Sequence, residues 1–208
     1  MRMRTIGLTL LLMSLWTTAA AQEAQTPKRE VESSISRDEM PPPALAVLEE
    51  VAAVVEKADY YRETDGEVVS FEAKLQARGY LWSVEFFEAG GLMNVEQLIP
   101  FDEIPMPTRR HIEGELDSLF ARYTLTRIQR QYTPEDEDDG EDLLEDLLER
   151  DEEDDDEEED VDAIVRYELE VNGRDGDVLG AFELTFDADG RLVQQRRIVR
   201  RPVDNLLY

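Results

Sequence analysis

The stretch VRYELEVNGRDGDVLGAFELTFDADGRLVQQRRIV, residues 165–199, decides the fold of this chain. Apolar and charged side chains alternate from Tyr167 to Val171, and the same alternation resumes at Phe182. A period of two places one face of a strand on a core and the other face in water. The sequence DADG at 187–190 predicts a tight reversal. The stretch therefore predicts an antiparallel meander whose apolar face is covered by another layer.

Residues 1–21 have the pattern of a secretory signal peptide. Arg2 and Arg4 make a positive start, residues 6–16 are mainly apolar, and small residues end the segment. An apolar core of this length is typical of a signal peptide and is short for a membrane-spanning helix, which needs about 20 residues. We therefore expect cleavage after Ala21, export to the periplasm or beyond the cell, and no stable membrane insertion of the mature chain.

The composition excludes most kinds of catalytic site. The 208 residues include no cysteine and one histidine, which excludes disulfides and thiolate sites and leaves little room for zinc or histidine chemistry. The histidine, His111, follows two arginines, and such polar surroundings indicate an exposed side chain. The sequence has no nucleophile motif and no phosphate-binding glycine loop, so we expect a protein that is not an enzyme and has no cofactor.

Glutamates on the predicted strands are the remaining candidates for acid–base chemistry. They are Glu85, Glu88, Glu168 and Glu170, and a pair of carboxylates is a known catalytic arrangement. Because they alternate with apolar residues, we interpret them as the solvent face of strands instead.

Two similar units follow one another along the chain. A first unit, 44–105, has a helix at 44–58 and then several strands, and a second unit, 106–201, repeats this order from a helix that begins near residue 107. Residues 22–43 are predicted to be a disordered linker, and 202–208 a short tail.

The closing hairpins of the two units align without a gap. FFEAGGLMNVEQLI from Phe86 matches TFDADGRLVQQRRI from Thr185, so that Gly91 falls on Gly190. We interpret this similarity as a tandem duplication, whereas the simpler alternative is that hairpins share turn residues.

This pattern of proline, amphipathic helix, aromatic-Glu strand and FDADGRLV-type hairpin resembles PepSY-like domains, and most closely their exported β-lactamase-inhibitor-like subgroup. The resemblance extends over about 43–201, apart from the acidic segment. It implies an α+β fold with helices packed on one face of an antiparallel sheet. It also implies an exported binding or inhibitory module, often with no known ligand, and it supplies no catalytic residues. We interpret the chain as such a module, with a protein or peptide partner in the cell envelope.

An acidic insertion, 134–162, interrupts the second unit. The net charge of the chain is −28, and most of it lies in this segment, which argues against a nucleic-acid partner. Blocks of like charge stay solvated, so a disordered acidic loop is expected. The alternative is a brief amphipathic helix built on the repeated Leu-Leu pairs at 143–144 and 147–148.

Calcium binding is the alternative function. Carboxylates suit Ca²⁺, but the run has no ordered EF-hand spacing. Only diffuse, weak calcium binding is therefore expected, at residues such as Asp154, Asp155, Asp156 and Glu157.

Candidate contacts for a partner come from aromatic and basic side chains. Tyr80, Trp82 and Phe86 are either binding residues, as aromatic hot spots often are, or members of the core. Arg196 and Arg197 begin a basic cluster near the C-terminus, and the acidic loop could fold back to shield it. A scaffolding role without a small ligand is a third possibility.

Overall fold

The computed structural model describes residues 27–136, 140–149, 161–175 and 178–199. Within them the chain forms nine strands, three α-helices and two short 3₁₀ helices, so the α+β prediction is confirmed. In chain order the strands and α-helices are β1 (Glu30–Ile35), α1 (Pro42–Glu50), β2 (Val55–Asp65), β3 (Val68–Ala77), β4 (Tyr80–Phe87), β5 (Leu92–Leu98), α2 (Met106–Leu119), β6 (Tyr123–Pro134), α3 (Gly140–Glu149), β7 (Ala163–Asp175), β8 (Val178–Asp187) and β9 (Leu192–Ile198).

All nine strands belong to one antiparallel sheet whose spatial order is the order of the sequence. The centre of the sheet is the pairing of β5 with β6, where Val95 lies opposite Tyr132. The first and last strands are linked as well. The Lys28 amide donates to the Arg197 carbonyl at 3.0 Å, and the Val199 amide donates to the Lys28 carbonyl at 3.0 Å. Residue 28 thus joins the start of the described chain to the end of β9.

Two clusters of buried apolar side chains form the core. The first combines α1 and α3 with strands β3 to β5, and the second combines α2 with β7 and β8. In the first, Leu48 and Leu144 pack with Val84. In the second, Leu116 packs with Leu184.

The strand register separates these core positions from a second, polar face. Ala73 lies opposite Val84, and Val84 lies opposite Val95, so the apolar positions line up from strand to strand. The intervening positions pair in the same way, with Glu72 opposite Glu85. Because successive side chains of a strand point to opposite faces, these glutamates lie on the face away from the core. We call it the polar face.

The two closing hairpins make the same hydrogen bonds, but one residue away from the predicted alignment. The amide of Gly90 donates to Phe87, and the amide of Gly190 donates to Asp187. Both glycines have positive φ, 93° and 84°, whereas Gly91 does not. The turn therefore equates Gly90, and not Gly91, with Gly190, because that position needs the left-handed backbone that glycine adopts freely.

The first predicted helix and the predicted linker are both wrong in extent. The helix ends at Glu50 instead of residue 58, and β2 begins at Val55. Val54 and Val55 are β-branched and favour an extended chain, and Val55 pairs with Ala77 of β3. The predicted linker contains β1, whose polar sequence EVESSI pairs along β2. A mostly polar strand has little apolar alternation to reveal it.

Part of the predicted acidic loop is a packed helix. In α3, Leu144 and Leu148 are fully buried and Leu143 is nearly so, and the guanidinium of Arg78 donates to the Leu148 carbonyl at 2.5 Å. The leucine pairs therefore hold the segment on the first core cluster, because burying them outweighs the tendency of the charges to stay solvated. The predicted signal peptide, the tail and the acidic residues 150–160 lie outside the described residues.

Candidate binding groove

The polar face forms the floor of a groove with a volume of about 1520 Å³. Strands from both ends and the middle of the sheet contribute to its lining. Ten carboxylates and five cationic side chains line it, namely Glu30, Glu32, Glu63, Asp65, Glu72, Glu85, Glu96, Glu168, Glu170 and Glu183 with Lys28, Lys74, Arg127, Arg166 and Arg196. Acidic groups therefore outnumber basic groups by two to one.

The local sequence explains why glutamates collect there. FEAKL in β3, SVEFF in β4, NVEQL in β5, YELEV in β7 and FELTF in β8 each place glutamate beside apolar or aromatic core residues. With a period of two, every such glutamate is directed to the polar face. Pairing adjacent strands then brings carboxylates from distant parts of the chain into one groove.

Four of these side chains, which we call the central carboxylates, are Glu72, Glu85, Glu96 and Glu168. Glu72 and Glu96 are only 3% and 5% exposed. Neutral donors reach three of the four. Ser83 donates to Glu72, and Asn94 Nδ2 donates to Glu85 at 2.9 Å. Glu96 accepts from the amides of two glutamines on β6, Gln129 at 2.5 Å and Gln131 at 2.9 Å.

Burial and mutual repulsion change the protonation of the central carboxylates. Burial raises the pKa of Glu85 to about 8, and the neighbouring Glu96 adds to this increase. Burial raises the pKa of Glu168 well above its ordinary value, with further contributions from Glu96 and Glu183. The pKa of Glu96 is also raised by burial, although the hydrogen bond from Gln131 opposes that change. Burial is the main cause in all three cases, and the cations Lys28 and Arg127 offset it only in part.

A second acidic group lies at one side of the groove. The carboxylate oxygens of Glu32, Glu63 and Glu72 lie within 4.8 Å of one another, a spacing compatible with a metal ion. Lys74 already contacts this group, forming ion pairs with Glu32 and, at 3.2 Å, with Glu72. Burial raises the pKa of Glu63 to about 11, and its hydrogen bond with Glu72 contributes. The group thus already holds the ammonium of Lys74.

Lys28 supplies the groove with an internal cation. Its ammonium forms ion pairs with Glu183 and, at 2.8 Å, with Glu30. Burial alone would lower the pKa of Lys28, but the carboxylates of Glu168, Glu183 and Glu30 outweigh burial and raise it. Nearby, Arg196 forms ion pairs with Asp65 and Glu183. This end of the groove is therefore electrostatically compensated.

The aromatic residues predicted as partner contacts are mostly core residues. Trp82 is 6% exposed and donates its indole N–H to the Ala77 carbonyl at 3.2 Å, and Phe86 is fully buried. Both occupy core positions of β4, so the prediction that they contact a partner is wrong. Tyr80 is half-buried and lies edge-on to Trp82, with ring centroids 6.3 Å apart.

The predicted basic cluster is divided between two faces. Arg196 lines the groove, whereas Arg197 is the next residue of β9, is exposed, and points to the other face. Arg127 and Arg130 lie on β6, which is separated from β9 by β7 and β8. Arg130 donates to the Glu103 carbonyl at 3.2 Å. The predicted cluster is therefore divided at its first two residues, because consecutive strand residues alternate.

The groove itself was not predicted from the sequence. Its signal was present in the glutamates at alternate strand positions, including Glu85 and Glu168, which we interpreted as a solvent face. Lys28 was assigned to the linker. The residues named for diffuse calcium binding, Asp154, Asp155, Asp156 and Glu157, lie outside the described residues. Among the described residues, every helix is too short or too polar to cross a bilayer.

No protein-family model matches the sequence. No curated protein matches it either.

Several solved structures from Bacteroides are similar to this chain at low sequence identity. A DUF2874 family protein from Bacteroides ovatus ATCC 8483 has a TM-score of 0.49 and 10% identity, over 76% of this chain and 89% of that chain. A protein described as periplasmic, from Bacteroides eggerthii DSM 20697, has a TM-score of 0.49 and 11% identity, over 76% and 88% of the two chains. A BLIP-like protein from Bacteroides fragilis NCTC 9343 has a TM-score of 0.45 and 14% identity, over 82% and 96%.

Proposed function

We propose that this protein is an exported, non-enzymatic binding module that holds a protein or peptide partner of the cell envelope in the groove of its polar face. The groove, about 1520 Å³ in volume and lined by charged side chains, is the observation that carries the proposal. Its walls come from strands all along the sheet, so a bound chain would meet many side chains at once. Export is supported by the signal-peptide pattern of residues 1–21.

A binding role fits the chemistry of the groove better than a catalytic role does. The carboxylates at its two sides are paired with the chain's own cations, as Glu183 is with Lys28 and Glu32 is with Lys74. The histidine, His111, lies on α2 and contacts the Asp189 carbonyl at 2.7 Å, outside the groove lining. A rigid sheet that presents fixed charges is suited to recognition, since complementary charges give specificity and fast association.

The proposal includes a duplicated origin for the sheet. The hairpins at Gly90 and Gly190 make equivalent hydrogen bonds. Each also packs against the start of a helix, Gly90 against Ala44 and Gly190 against Thr108. Two helix-plus-meander units joined edge to edge through β5 and β6 account for this correspondence and for the length of the groove.

Affinity capture with matched variants tests the function. The mature chain is immobilised and exposed to envelope extract of the native host at physiological salt. It is compared with Glu85→Gln/Glu168→Gln, which alters the groove, and with Glu88→Gln/Glu113→Gln, which removes two exposed carboxylates elsewhere. We expect one specific protein or peptide to be retained by the parent and the control and to be lost from the groove variant.

Two outcomes would contradict the proposal. Equal retention by both variants would place the binding surface outside the groove. Retention only in the presence of calcium, and independent of the groove, would support the alternative function of calcium binding by the acidic segment.

A further inference from the structure

Three of the four central carboxylates lack a direct ion pair among the described residues. Ion pairs occupy the two sides of the groove, where Lys28, Lys74 and Arg196 are held. In the described chain, Glu85, Glu96 and Glu168 form no ion pair within 4 Å. Neutral amide donors reach Glu85 and Glu96. Lys28 and Arg127 act on these three carboxyl groups only from beyond 4 Å, so the middle of the groove holds more carboxyl groups than directly paired cations.

Buried acceptors in the same region lack hydrogen bonds. Oε2 of Glu72, a side chain only 3% exposed, accepts no hydrogen bond from the described residues. Its one ionic contact is Lys74 Nζ at 3.2 Å, which also serves Glu32. Oδ1 of Asn94, whose amide nitrogen is bound to Glu85, is likewise buried without a partner in the described chain. Most buried acceptors have a hydrogen-bond partner, so these two oxygens offer acceptor positions to a bound donor group.

We propose that the partner inserts a cationic side chain, lysine or arginine, between the central carboxylates. The inference rests on the proposed function and specifies which chemical group the groove recognises. An ammonium or guanidinium group supplies several donors and no acceptor. It therefore matches a site that offers carboxylate oxygens and few donors.

The chain itself gives a precedent for this recognition. Lys28 reaches into the groove from outside the strands, and its ammonium lies between Glu30 and Glu183. Glu183 is only 4% exposed there. One end of the groove thus already accommodates a lysine side chain carried by an extended backbone. The central carboxylates offer a further position of the same kind, where no lysine or arginine of the described chain forms an ion pair with Glu85, Glu96 or Glu168.

Binding of a cationic side chain should also change the protonation of the central carboxylates. Glu85 has a pKa of about 8 in the free protein, and the pKa of Glu168 is also raised. An inserted cation stabilises the ionised carboxylates and lowers both pKa values. Binding near neutral pH is therefore accompanied by proton release, which calorimetry in buffers of different ionisation enthalpy detects.

Titration with defined peptides tests the inference. An acetylated, amidated peptide of alternating alanine and lysine is the probe, and the matching alanine–glutamine peptide is its neutral control. Both are titrated into the full mature chain at physiological salt, and into Glu85→Gln/Glu168→Gln and Glu88→Gln/Glu113→Gln. Amide chemical-shift changes in the parent chain locate the bound peptide, whether or not a variant folds. Calcium chloride is titrated separately.

The expected result is binding of the lysine peptide with shifts on β4, β5 and β7. We expect its affinity to fall about tenfold or more in the groove variant and to change little in the control, since charge-assisted hydrogen bonds are lost. Equal losses in both variants, or shifts confined to the acidic segment, would overturn the inference. If the neutral peptide binds in the groove as tightly as the lysine peptide does, the groove is still a peptide-binding site, but it does not recognise a cationic side chain. Saturable calcium binding at the same carboxylates, excluding the peptide, would also reject it.

Discussion

The ammonium of Lys28 forms an ion pair with the carboxylate of Glu183, 155 residues further along the chain. The same residue makes backbone hydrogen bonds to Arg197 and Val199 at the end of β9. A single position near the start of the described chain thus connects the two outer strands of the sheet and neutralises one end of the groove. The same residue thus serves the groove through its side chain and the sheet through its backbone.

Lys28→Ala should therefore destabilise the mature protein. The substitution leaves Glu183, which is 4% exposed, without its main cation, and we expect a loss of about 2 kcal/mol in the free energy of unfolding. Urea denaturation followed by circular dichroism measures it. Lys57→Ala is the control, because its pair with Asp59 is exposed, and it should cause little change. Equal effects of the two substitutions would contradict the assigned role of Lys28.

Stability should decrease as pH rises from about 5 to 8. Folding raises the pKa of Glu85 to about 8 and that of Glu63 to about 11. Between the unfolded value near 4.3 and these folded values, the folded state binds more protons than the unfolded state, so raising the pH favours unfolding. Folding lowers the pKa of Asp65 and Glu30. Their contribution changes only at more acidic pH.

Thermal melting over that pH interval measures the effect. The melting temperature of the parent should fall steadily as the pH rises. The melting temperature of Glu63→Gln/Glu85→Gln should depend less on pH, because two of the titrating groups are removed. Glu88→Gln, at an exposed position, should keep the slope of the parent. A melting temperature that rises with pH, or identical slopes in all three proteins, would disprove the burial of these carboxylates.

Leu144→Ala should show that the acidic segment is part of the core. Leu144 is fully buried on α3, and such truncations cost about 2–5 kcal/mol. Leu147→Ala, at a partly buried position of the same helix, should cost clearly less. Urea unfolding of both variants gives the comparison. If Leu144→Ala has no effect, α3 does not contribute to the stability of the fold.

One glycine substitution in the second closing turn and one in α2 should change the free energy of unfolding in opposite directions. Gly190 has φ 84°, and an added Cβ would lie 2.5 Å from the Thr108 carbonyl oxygen. Gly190→Ala should therefore lose about 1–3 kcal/mol. Gly114 is helical with open space around it, so Gly114→Ala should gain up to about 1 kcal/mol. Thermal unfolding checks both, and a stabilised Gly190→Ala protein would contradict the described turn.

Strands β7 and β8 follow directly from the sequence, because period-two alternation, as from Tyr167 to Val171, indicates a half-buried strand without knowledge of its neighbours. The alignment of the hairpins was off by one residue for a specific reason. Two adjacent glycines, Gly90 and Gly91, both match Gly190 in sequence, and only the positive φ of Gly90 decides between them.

The groove depends on contacts between residues that are far apart in the sequence, and no local sequence pattern encodes them. A glutamate at an outward strand position has the same sequence signature whether the face is open to water or enclosed. Glu96 is buried because glutamines of β6 and strands from both ends of the chain surround it. The pairing of Lys28 with Glu183 is equally non-local. Long-range pairing of this kind follows from the whole sheet, and only the assembled fold reveals it.

Site-specific photo-crosslinking in the native envelope tests the central claim most directly. A photoreactive phenylalanine is placed at Gln194, an exposed position that lines the groove, and in a matched protein at Arg110, an exposed position on α2. The account predicts that one envelope protein or peptide is crosslinked from Gln194 and not from Arg110. Crosslinking of that partner from Arg110 alone would contradict the groove as the binding surface.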